Sequence, residues 1–120
     1  MKVEEHTAYI KSRRLSKMIW DLSRNWNLQA LSTLGNQLIR SADSISANLA
    51  EGWNRYSKKD KTNFYIIARG SIGETMDWIN KAFERNLINQ LQYSQLQDLL
   101  EELPKEINGL IKGTNQHLRK

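Results

Sequence analysis

The sequence predicts an all-α protein folded as an antiparallel up-down four-helix bundle, and three observations support that prediction. One proline and six glycines in 120 residues are too few turn formers for a β-sandwich or barrel, and they favour long helices. Apolar residues recur at steps of three and four in four separate stretches, which places them on one face of each helix. The polar connections between these stretches are short, so consecutive helices are expected to run antiparallel.

The first two helices are predicted from N-cap residue types and apolar spacing. The first begins between Thr7 and Ser12 and ends around Asn25 to Asn27, and its apolar face is Leu15, Ile19, Leu22 and Trp26. The second begins near Ser32 or Thr33, both good N-cap types, and a left-handed stop at Gly52 and Asn54 is expected to end it. Its apolar face is Leu34, Leu38, Ala42, Ile45, Leu49 and Trp53.

The other two helices are predicted to begin at capping boxes. Ser57 and Asp60 start the third helix, which runs to about Arg85, and Ser94 and Gln97 start the fourth. The apolar face of the third is Phe64, Ile67, Ser71, Thr75, Trp78 and Ala82, widened by Ile72, Met76, Ile79 and Phe83. Pro104 lies inside the apolar period of the fourth helix, so a kink is expected there rather than an end. That period is Leu96, Leu99, Leu100, Leu103, Ile107, Leu110 and Ile111.

Two features of the middle helices need more than core packing to explain them. Gly70 and Gly73 each cost about 1 kcal/mol relative to alanine inside a helix, so we predict a tight crossing of helices two and three with Gly70 and Ser71 at the contact. The alternative, which we favour less, is that these glycines are simply tolerated on an exposed face. A polar stripe also runs beside the apolar face of helix two, and Arg69 and Glu74 on helix three are expected to meet it. The stripe is Gln37, Arg40, Ser44, Asn48, Glu51 and Arg55.

The polar stripe allows two interpretations. It could be a ligand or catalytic site, or it could be a face on which charges pair with one another, as charge runs on helices usually do. We favour the second interpretation, in which Arg40 pairs with Glu51 or Glu74, Asn48 bonds backbone at the crossing, and the stripe fixes helix register or lines a subunit contact.

Composition indicates one soluble domain spanning residues 1–120. A chain of this length buries enough surface for a core of its own, and the absence of cysteine suits a reducing cytoplasm. The sequence contains neither a signal-peptide pattern nor an apolar run long enough to span a bilayer. Residues 1–70 hold twelve basic and six acidic residues, a balance of +6, whereas residues 71–120 hold six and seven, a balance of −1. The basic half favours a polyanion partner, although mild basicity can also serve solubility alone.

No catalytic motif is found in the sequence. The only histidines, His6 and His117, fall near the chain ends, so the Glu-x-x-His pairs of di-iron bundles are absent. No histidine follows Arg55 at the spacing that helical nucleases of the HEPN class use, and no Ser/His or Cys/His nucleophile pair and no Walker loop occur. Glu51, Glu74 and Asp77 could hold Mg²⁺, but helix carboxylates beside arginines are more often ion-paired. We predict no enzyme, no cofactor and no metal site.

The connection between helices two and three has the composition of a nucleic-acid contact. It combines Arg55, Lys58, Lys59 and Lys61 with aromatic residues at the positive end of a helix, where phosphates are attracted. Arg13, Arg14 and Lys17 on helix one could extend this basic surface. Alternatively, the lysines are ordinary solvent-facing residues. Four tryptophans are many for one thin bundle, and Trp20 and Trp78 are the hardest to bury, which favours protein–protein contact and self-association.

The segments QLIRSADSISANLAEGWNRYSKKD from Gln37 and FYIIARGSIGE from Phe64 resemble a four-helix bundle protein family. Its members are encoded by intervening sequences in bacterial 23S ribosomal RNA genes, and some are labelled ribosomal proteins. The resemblance implies a pentameric, barrel-like ring without enzymatic activity or cofactor. It also implies kinship with the accessory variability proteins of diversity-generating retroelements, which are basic rings that engage nucleic acid and a reverse transcriptase. The expected partners are therefore further copies of the chain, RNA or DNA, and possible protein partners.

Overall fold

A computed structural model describes residues 1–117, and within that range the protein consists of helices and loops without a strand. A short 3-10 turn, Val3–Glu5, precedes helix α1, Thr7–Ser23. Helix α2 is Asn36–Trp53, helix α3 is Lys58–Glu84 and helix α4 is Gln90–His117. The predicted all-α four-helix bundle is confirmed.

Each helix packs against two neighbours in an elongated bundle of 51 × 23 × 21 Å. Helix α1 packs on α2 and α4, and α3 packs on the same two helices from the other side, so α1 and α3 are diagonally opposed. The start of α1 lies beside the end of α2, because the rings of His6 and Trp53 are 5.9 Å apart. We call this end of the bundle, where the α2–α3 connection also lies, the turn end.

The core is formed by the predicted apolar faces, with one shift on α3. Leu15 and Ile19 of α1 are fully buried, as are Leu38, Ala42, Ile45 and Leu49 of α2 and Leu96, Leu103 and Ile107 of α4. On α3 the buried residues are Tyr65, Ala68, Ile72, Thr75, Ile79 and Ala82. The prediction was wrong for Ile67, which is 50% exposed, because the buried stripe is centred on Tyr65 rather than on Phe64. The rotation leaves Ile66 and Ile67 on the surface of α3.

The second helical segment begins earlier than predicted. Asn27 is the N-cap, since its side chain accepts a hydrogen bond from the Ala30 amide at 2.9 Å, and one α-helical turn, Leu28–Ala30, follows. A π-helical segment, Leu31–Gly35, then joins this turn to α2. Ser32 and Thr33 therefore lie inside the helix, and their hydroxyls donate to the carbonyl of Gln29 instead of capping.

The other predicted helix ends are partly confirmed. Helix α1 begins at Thr7 and α3 ends beside Arg85, as predicted, whereas α1 ends at Ser23, slightly earlier than predicted. The Ser57 hydroxyl accepts from the Asp60 amide at 3.0 Å, as predicted. Helix α2 does not end in a left-handed residue, because Asn54 has φ −91°; the left-handed stop is Asn86 after α3, with φ 60°. Helix α4 is capped at Asn89 rather than at Ser94. The cap is reciprocal: the Gln92 backbone amide donates to the Asn89 side-chain oxygen, and the Asn89 backbone amide donates to the Gln92 side-chain oxygen. The helix continues past Pro104, as predicted.

The close approach of α2 and α3 depends on a different glycine from the one predicted. A Cβ added at Gly52 would lie 2.7 Å from Cε1 of the buried Tyr65 ring and 3.1 Å from the Lys61 carbonyl oxygen. A Cβ at Gly70 would meet nothing within 4 Å, and Gly70 is exposed. Gly70 is therefore not at the crossing, because it lies on the outer side of α3. Ser71 does lie there, with its hydroxyl 3.0 Å from that of Ser44.

Candidate nucleic-acid interface

A basic surface lies along the outward side of α1. Residues 13–24 contain four basic residues and one acidic residue, and the basic side chains are all exposed. Trp20 is 54% exposed among them. Helical periodicity places these residues opposite the buried Leu15 and Ile19. We call this surface the α1 outer face; it consists of Arg13, Arg14, Lys17, Trp20 and Arg24.

Neighbouring side chains fix part of the α1 outer face. The Arg13 guanidinium donates to the Tyr9 hydroxyl at 2.7 Å and lies 5.6 Å from the centre of the Tyr9 ring. Asp21 is the one acidic residue of the row, and it is shared by Lys17 at 3.1 Å and by Arg24 at 3.9 Å. These ion pairs are exposed, so they hold the basic side chains only weakly. Three positive charges therefore remain uncompensated within residues 13–24.

The predicted basic connection between α2 and α3 is less available than its composition suggests. Lys61 points inward, where its ammonium donates to the Trp53 carbonyl at 2.7 Å and approaches the Gly52 carbonyl at 3.4 Å. It thereby satisfies the C-terminal carbonyls of α2, and burial lowers the pKa of Lys61. These contacts make Lys61 less available to a phosphate than an exposed lysine, and its assignment as a phosphate contact stays a prediction.

The other three basic residues of that connection differ in their availability. The Arg55 side chain pairs with Glu51 at 3.0 Å and lies 4.8 Å from the centre of the Phe64 ring. Lys58 is half-buried and Lys59 is exposed at the start of α3. Arg13 is six residues into α1, roughly 9 Å along the axis from the turn end, so the two predicted basic groups belong to the same half of the bundle.

The polar stripe of α2 is organised by hydroxyl groups rather than by the predicted ion pairs. Ser44 and Ser71 bridge the two helices at 3.0 Å, and the buried Thr75 hydroxyl donates to Ser41 at 3.0 Å. The side-chain amide of Asn48 donates to the Ser44 backbone carbonyl at 2.8 Å and to the Ser44 hydroxyl at 3.0 Å. The bridge between Ser41 and Thr75 was not predicted from the sequence, since both residues occupy apolar spacing positions.

The predicted charge pairs across the stripe are wrong. Glu51 pairs with Arg55 on its own helix, and Arg69 donates to Asn108 of α4 at 2.7 Å instead of meeting α2. Arg40 and Glu74 line a shallow polar cleft of about 290 Å³, but no ion pair joins them within the residues that the structure describes. Hydroxyl contacts between α2 and α3, including the bridge from Ser44 to Ser71, therefore take the place of the expected ion pairs.

Two of the carboxylates considered for Mg²⁺ are ion-paired with basic side chains of their own helices. Glu51 is bound to Arg55, and Asp77 pairs with Lys81 at 2.7 Å. Within residues 1–117 no cluster of three His, Asp or Glu side chains could hold a metal ion. The same part of the chain contains no helix that combines the length and the apolar character needed to cross a membrane.

His6 anchors the first helix at the turn end instead of lying free near the chain terminus. Its Nδ1 accepts a hydrogen bond from the Ala8 amide at 3.1 Å and so caps α1. Burial lowers the pKa of His6, and the nearby Glu106 carboxylate opposes part of that effect. Glu106 itself accepts hydrogen bonds from Thr7 and from Lys11, and these lower the pKa of Glu106. The side chain of the second histidine of the sequence, His117, lies outside the part of the chain that the structure describes.

A cavity of about 680 Å³ opens at the same end of the bundle. His6, Trp53, Lys61 and Tyr65 line one side of it, and Gly109 and Gly113 of α4 line another. The cavity was not predicted from the sequence, because its walls come from α2, α3, α4 and the N-terminal turn together.

The α3 surface opposite α1 carries exposed apolar and small residues among exposed charged ones such as Asp77. Ile66 is 45% exposed and Ile67 is 50% exposed. Gly70 and Gly73 follow them, and neither glycine has a neighbour within 4 Å of a built Cβ. We call these four residues the α3 outer patch. The prediction that these glycines lie at a helix crossing was wrong, because they occupy an exposed face of α3 where nothing approaches them.

These features define a small helical-bundle protein with a basic, aromatic face and without a recognisable catalytic centre among its described residues. Residues 4–109 match the model of the 23S rRNA-intervening sequence protein family, and the chain therefore belongs to that family, as its sequence resemblance predicts. No catalytic family is indicated, and no curated protein matches the chain.

A solved structure supports the fold. The chain is similar to a Bacteroides thetaiotaomicron protein of unknown function from the S23 ribosomal protein family, with a TM-score of 0.78 and 24% sequence identity. The similarity covers 88% of this chain and 99% of the other. At this level of identity the likeness shows that the two chains share a fold, and nothing about a shared ligand follows from it.

Proposed function

We propose that this protein is a non-catalytic, self-associating cytoplasmic protein that binds structured RNA or DNA through the α1 outer face. The observation that carries the proposal is the row of four exposed basic residues with one acidic residue in positions 13–24. Such a row attracts phosphates without requiring a sequence-specific pocket. The family's association with 23S rRNA intervening sequences makes RNA the first ligand to test.

The charge distribution of the bundle supports one orientation for that ligand. Helix α4 carries Asp98, Glu101, Glu102 and Glu106 but only two lysines. Its surface therefore repels phosphates, and Lys11 at the α1–α4 boundary is already held by Glu106 at 3.0 Å. A polyanion would be directed along the outward side of α1 and towards Lys58 and Lys59 at the turn end.

The test is a titration of a structured RNA by fluorescence anisotropy over a range of salt concentrations. The affinity of the unmodified protein is expected to fall steeply with salt, because bound phosphates release counterions. The double variant R14Q/K17Q should flatten the salt slope by roughly 0.9 for each phosphate that the protein no longer neutralises. The matched control K105Q/K112Q removes the same charge from α4 and should leave the slope unchanged.

Two results would refute nucleic-acid binding through α1. One is the absence of affinity at low salt, or affinity that does not depend on salt. The other is an equal loss of affinity in R14Q/K17Q and in K105Q/K112Q, which would mean that only the net charge of the protein matters. Incubation of the RNA with Mg²⁺ is expected to give no cleavage, since Glu51 and Asp77 are each paired with a basic residue.

Self-association is proposed to use the α3 outer patch. Two open glycines in a helix reduce its stability by about 1 kcal/mol each, and exposed isoleucines beside them favour contact with another apolar surface. The family resemblance suggests a pentameric ring, in which five copies of the 14.0-kDa chain would total about 70 kDa. Light scattering on the purified protein measures that mass, and a monomer at micromolar concentration would contradict the proposal.

The α3 outer patch also favours a second candidate function, a structural adaptor that recruits a protein partner without touching nucleic acid. In that case charge reversal at Lys58 and Lys59 should leave partner capture intact, and the RNA titration should show no specific dependence on α1.

A further inference from the structure

We propose that Trp20 is a stacking platform for an unpaired base, so that the preferred ligand of the α1 outer face is RNA with single-stranded or looped nucleotides. This inference rests on the proposed nucleic-acid binding and adds the class of RNA that is recognised. It is carried by the position of Trp20, which is 54% exposed within a basic row, whereas the other three tryptophans of the chain are partly buried against the core.

The other tryptophans have structural roles that Trp20 lacks. The Trp26 indole donates to the Leu87 carbonyl at 3.1 Å, and Trp53 packs on His6 with ring centres 5.9 Å apart. Trp78 lies under the Lys81 ammonium, which is 4.5 Å from its ring centre. Trp20 leaves more than half of its surface in water, and exposure of a large aromatic ring forgoes the stabilisation that burial would provide.

Basic side chains surround this ring at helical spacing. Lys17 and Arg24 stand three residues before and four residues after Trp20, so they lie directly beside it on the helix surface. Arg13 stands seven residues before, on the same side, and Tyr9 orients it by a 2.7 Å hydrogen bond. A guanidinium that is already oriented needs less ordering when it binds a phosphate.

An exposed aromatic ring between backbone-binding cations is the arrangement that suits single strands. The cations contact the phosphates and the ring stacks on a base, and neither contact requires a particular sequence. A continuous duplex cannot use the ring, because its bases are stacked on one another and present only their edges and the backbone. The ring therefore adds affinity only where the RNA offers an unpaired base.

The experiment compares two RNA probes that carry the same number of phosphates: a hairpin with a loop of adenosines and a blunt, fully paired duplex. The full-length protein and its variants W20A and W20F are titrated with each probe at one moderate salt concentration. Leu91→Ala, which removes another exposed apolar side chain from α4, is the matched control. Circular dichroism and a thermal melt establish that each variant is folded.

The expected result is a loss of about fivefold or more for W20A on the hairpin, the lower end of the affinity that one stacked base provides. W20F should retain part of the affinity, because it keeps an aromatic face. Both variants should bind the duplex as the unmodified protein does, and Leu91→Ala should change neither affinity.

Four outcomes would overturn the inference, and only the last of them would also refute the proposed function. Steeply salt-dependent binding of both probes that W20A does not change would keep the nucleic-acid function and remove the stacking role. An equal loss on both probes would make Trp20 a general packing residue of the interface. A fall in molecular mass for W20A with unchanged RNA affinity would assign Trp20 to a protein contact. No binding of either probe by the unmodified protein would instead refute the proposed function itself.

Discussion

The outward surfaces of α1 and α3 differ in net charge and in the kind of exposed apolar residue that they carry. The α1 outer face has four cations around an exposed tryptophan, whereas the α3 outer patch has two isoleucines and two glycines with open space above them. Charges on a surface favour phosphates and lose strength in salt. Apolar and small residues favour close contact with another protein surface, which salt weakens little.

The α1 outer face and the α3 outer patch lie on opposite sides of the bundle. Helices α1 and α3 are diagonal in the bundle, because both pack on α2 and on α4. A polyanion on α1 and a protein on α3 could therefore be bound at the same time without competing for space. The hydroxyls of Ser44 and Ser71 join α2 to α3, and these two helices, together with α4, separate α1 from the outward side of α3.

The largest expected effect comes from charge reversal on α1. The double variant R14E/K17E should lower RNA affinity by about 100-fold or more at low salt, because it removes two cations and adds two anions near the phosphates. Molecular mass by light scattering should not change, since neither residue belongs to the α3 outer patch. Anisotropy titration and light scattering on one preparation test both statements.

The matched control for this reversal is K105E/K112E, which makes the same change of net charge on α4. It should lower RNA affinity far less, because its residues lie on an acidic helix. If the two double variants lose affinity equally, or if R14E/K17E changes the mass, the separation of functions between α1 and α3 is wrong.

A charge placed in the α3 outer patch is expected to give the next largest effect. Ile66→Glu with Gly70→Glu should reduce the mass towards that of a 14.0-kDa monomer, because burial of unpaired carboxylates in a subunit contact is costly. The affinity of each chain for RNA should decrease only through the loss of multivalency.

Leu91→Glu provides the comparison for that variant, because it places a carboxylate at another exposed apolar position, on α4. Its mass should equal that of the unmodified protein. An unchanged mass for the α3 variant would show that copies do not associate through this patch.

The sequence predicts the fold of this protein well because the apolar periods of α1, α2 and α4 have no competing interpretation. It predicts α3 less well, because apolar residues surround much of that helix. Phe64, Tyr65, Ile66 and Ile67 are consecutive, so spacing alone cannot choose which of them faces inward. In the structure Tyr65 faces inward against Gly52, where the absence of a side chain leaves room for its ring.

The candidate site was predicted in its residue types and only partly in its geometry. The basic residues of α1 are exposed as periodicity requires, since they alternate with a regular buried stripe. The inward orientation of Lys61 was not predicted, because its partners are the backbone carbonyls of Gly52 and Trp53, and a sequence does not show where carbonyls at a helix end will point. The capping role of His6 was missed for a similar reason, since it depends on the Ala8 amide.

Two glycine substitutions distinguish a buried close approach from an open surface. Gly52→Ala should lower the free energy of unfolding by about 1–3 kcal/mol, because its Cβ would overlap the Tyr65 ring. Gly70→Ala should raise the stability of the isolated chain by up to about 1 kcal/mol, since alanine is the better helix former and nothing lies above it. Urea denaturation at low protein concentration measures both changes.

Gly70→Ala also tests whether another copy of the chain contacts the α3 outer patch. If another copy packs closely on the α3 outer patch, the added methyl group should weaken association while it stabilises the chain. Equal stabilisation of the chain and of the assembly would mean that no second surface approaches Gly70 closely.

The smallest expected effect concerns the attachment of α1 to the rest of the bundle. Because burial lowers the pKa of His6 in the folded protein, protonation favours the unfolded chain, and stability should fall as the pH drops below about 6.5. Protonation also places a hydrogen on Nδ1, which then can no longer accept from the Ala8 amide. The loss should be about 1 kcal/mol, the usual contribution of an N-cap, measured by urea denaturation between pH 7 and pH 5.

Glu106 should affect the free energy of unfolding at lower pH than His6 does, so the contributions of the two groups can be measured separately. Hydrogen bonds from Thr7 and Lys11 lower the pKa of Glu106, so its contribution to stability is present above about pH 4.5 and is lost as the pH falls through its folded value. His6→Asn keeps a capping acceptor that does not titrate, and it should abolish the loss above pH 5 while leaving the loss at lower pH. Glu106→Gln should do the reverse. Because the α1 outer face depends on α1 being docked, RNA binding by His6→Asn should also be less sensitive to mild acid than that of the unmodified protein.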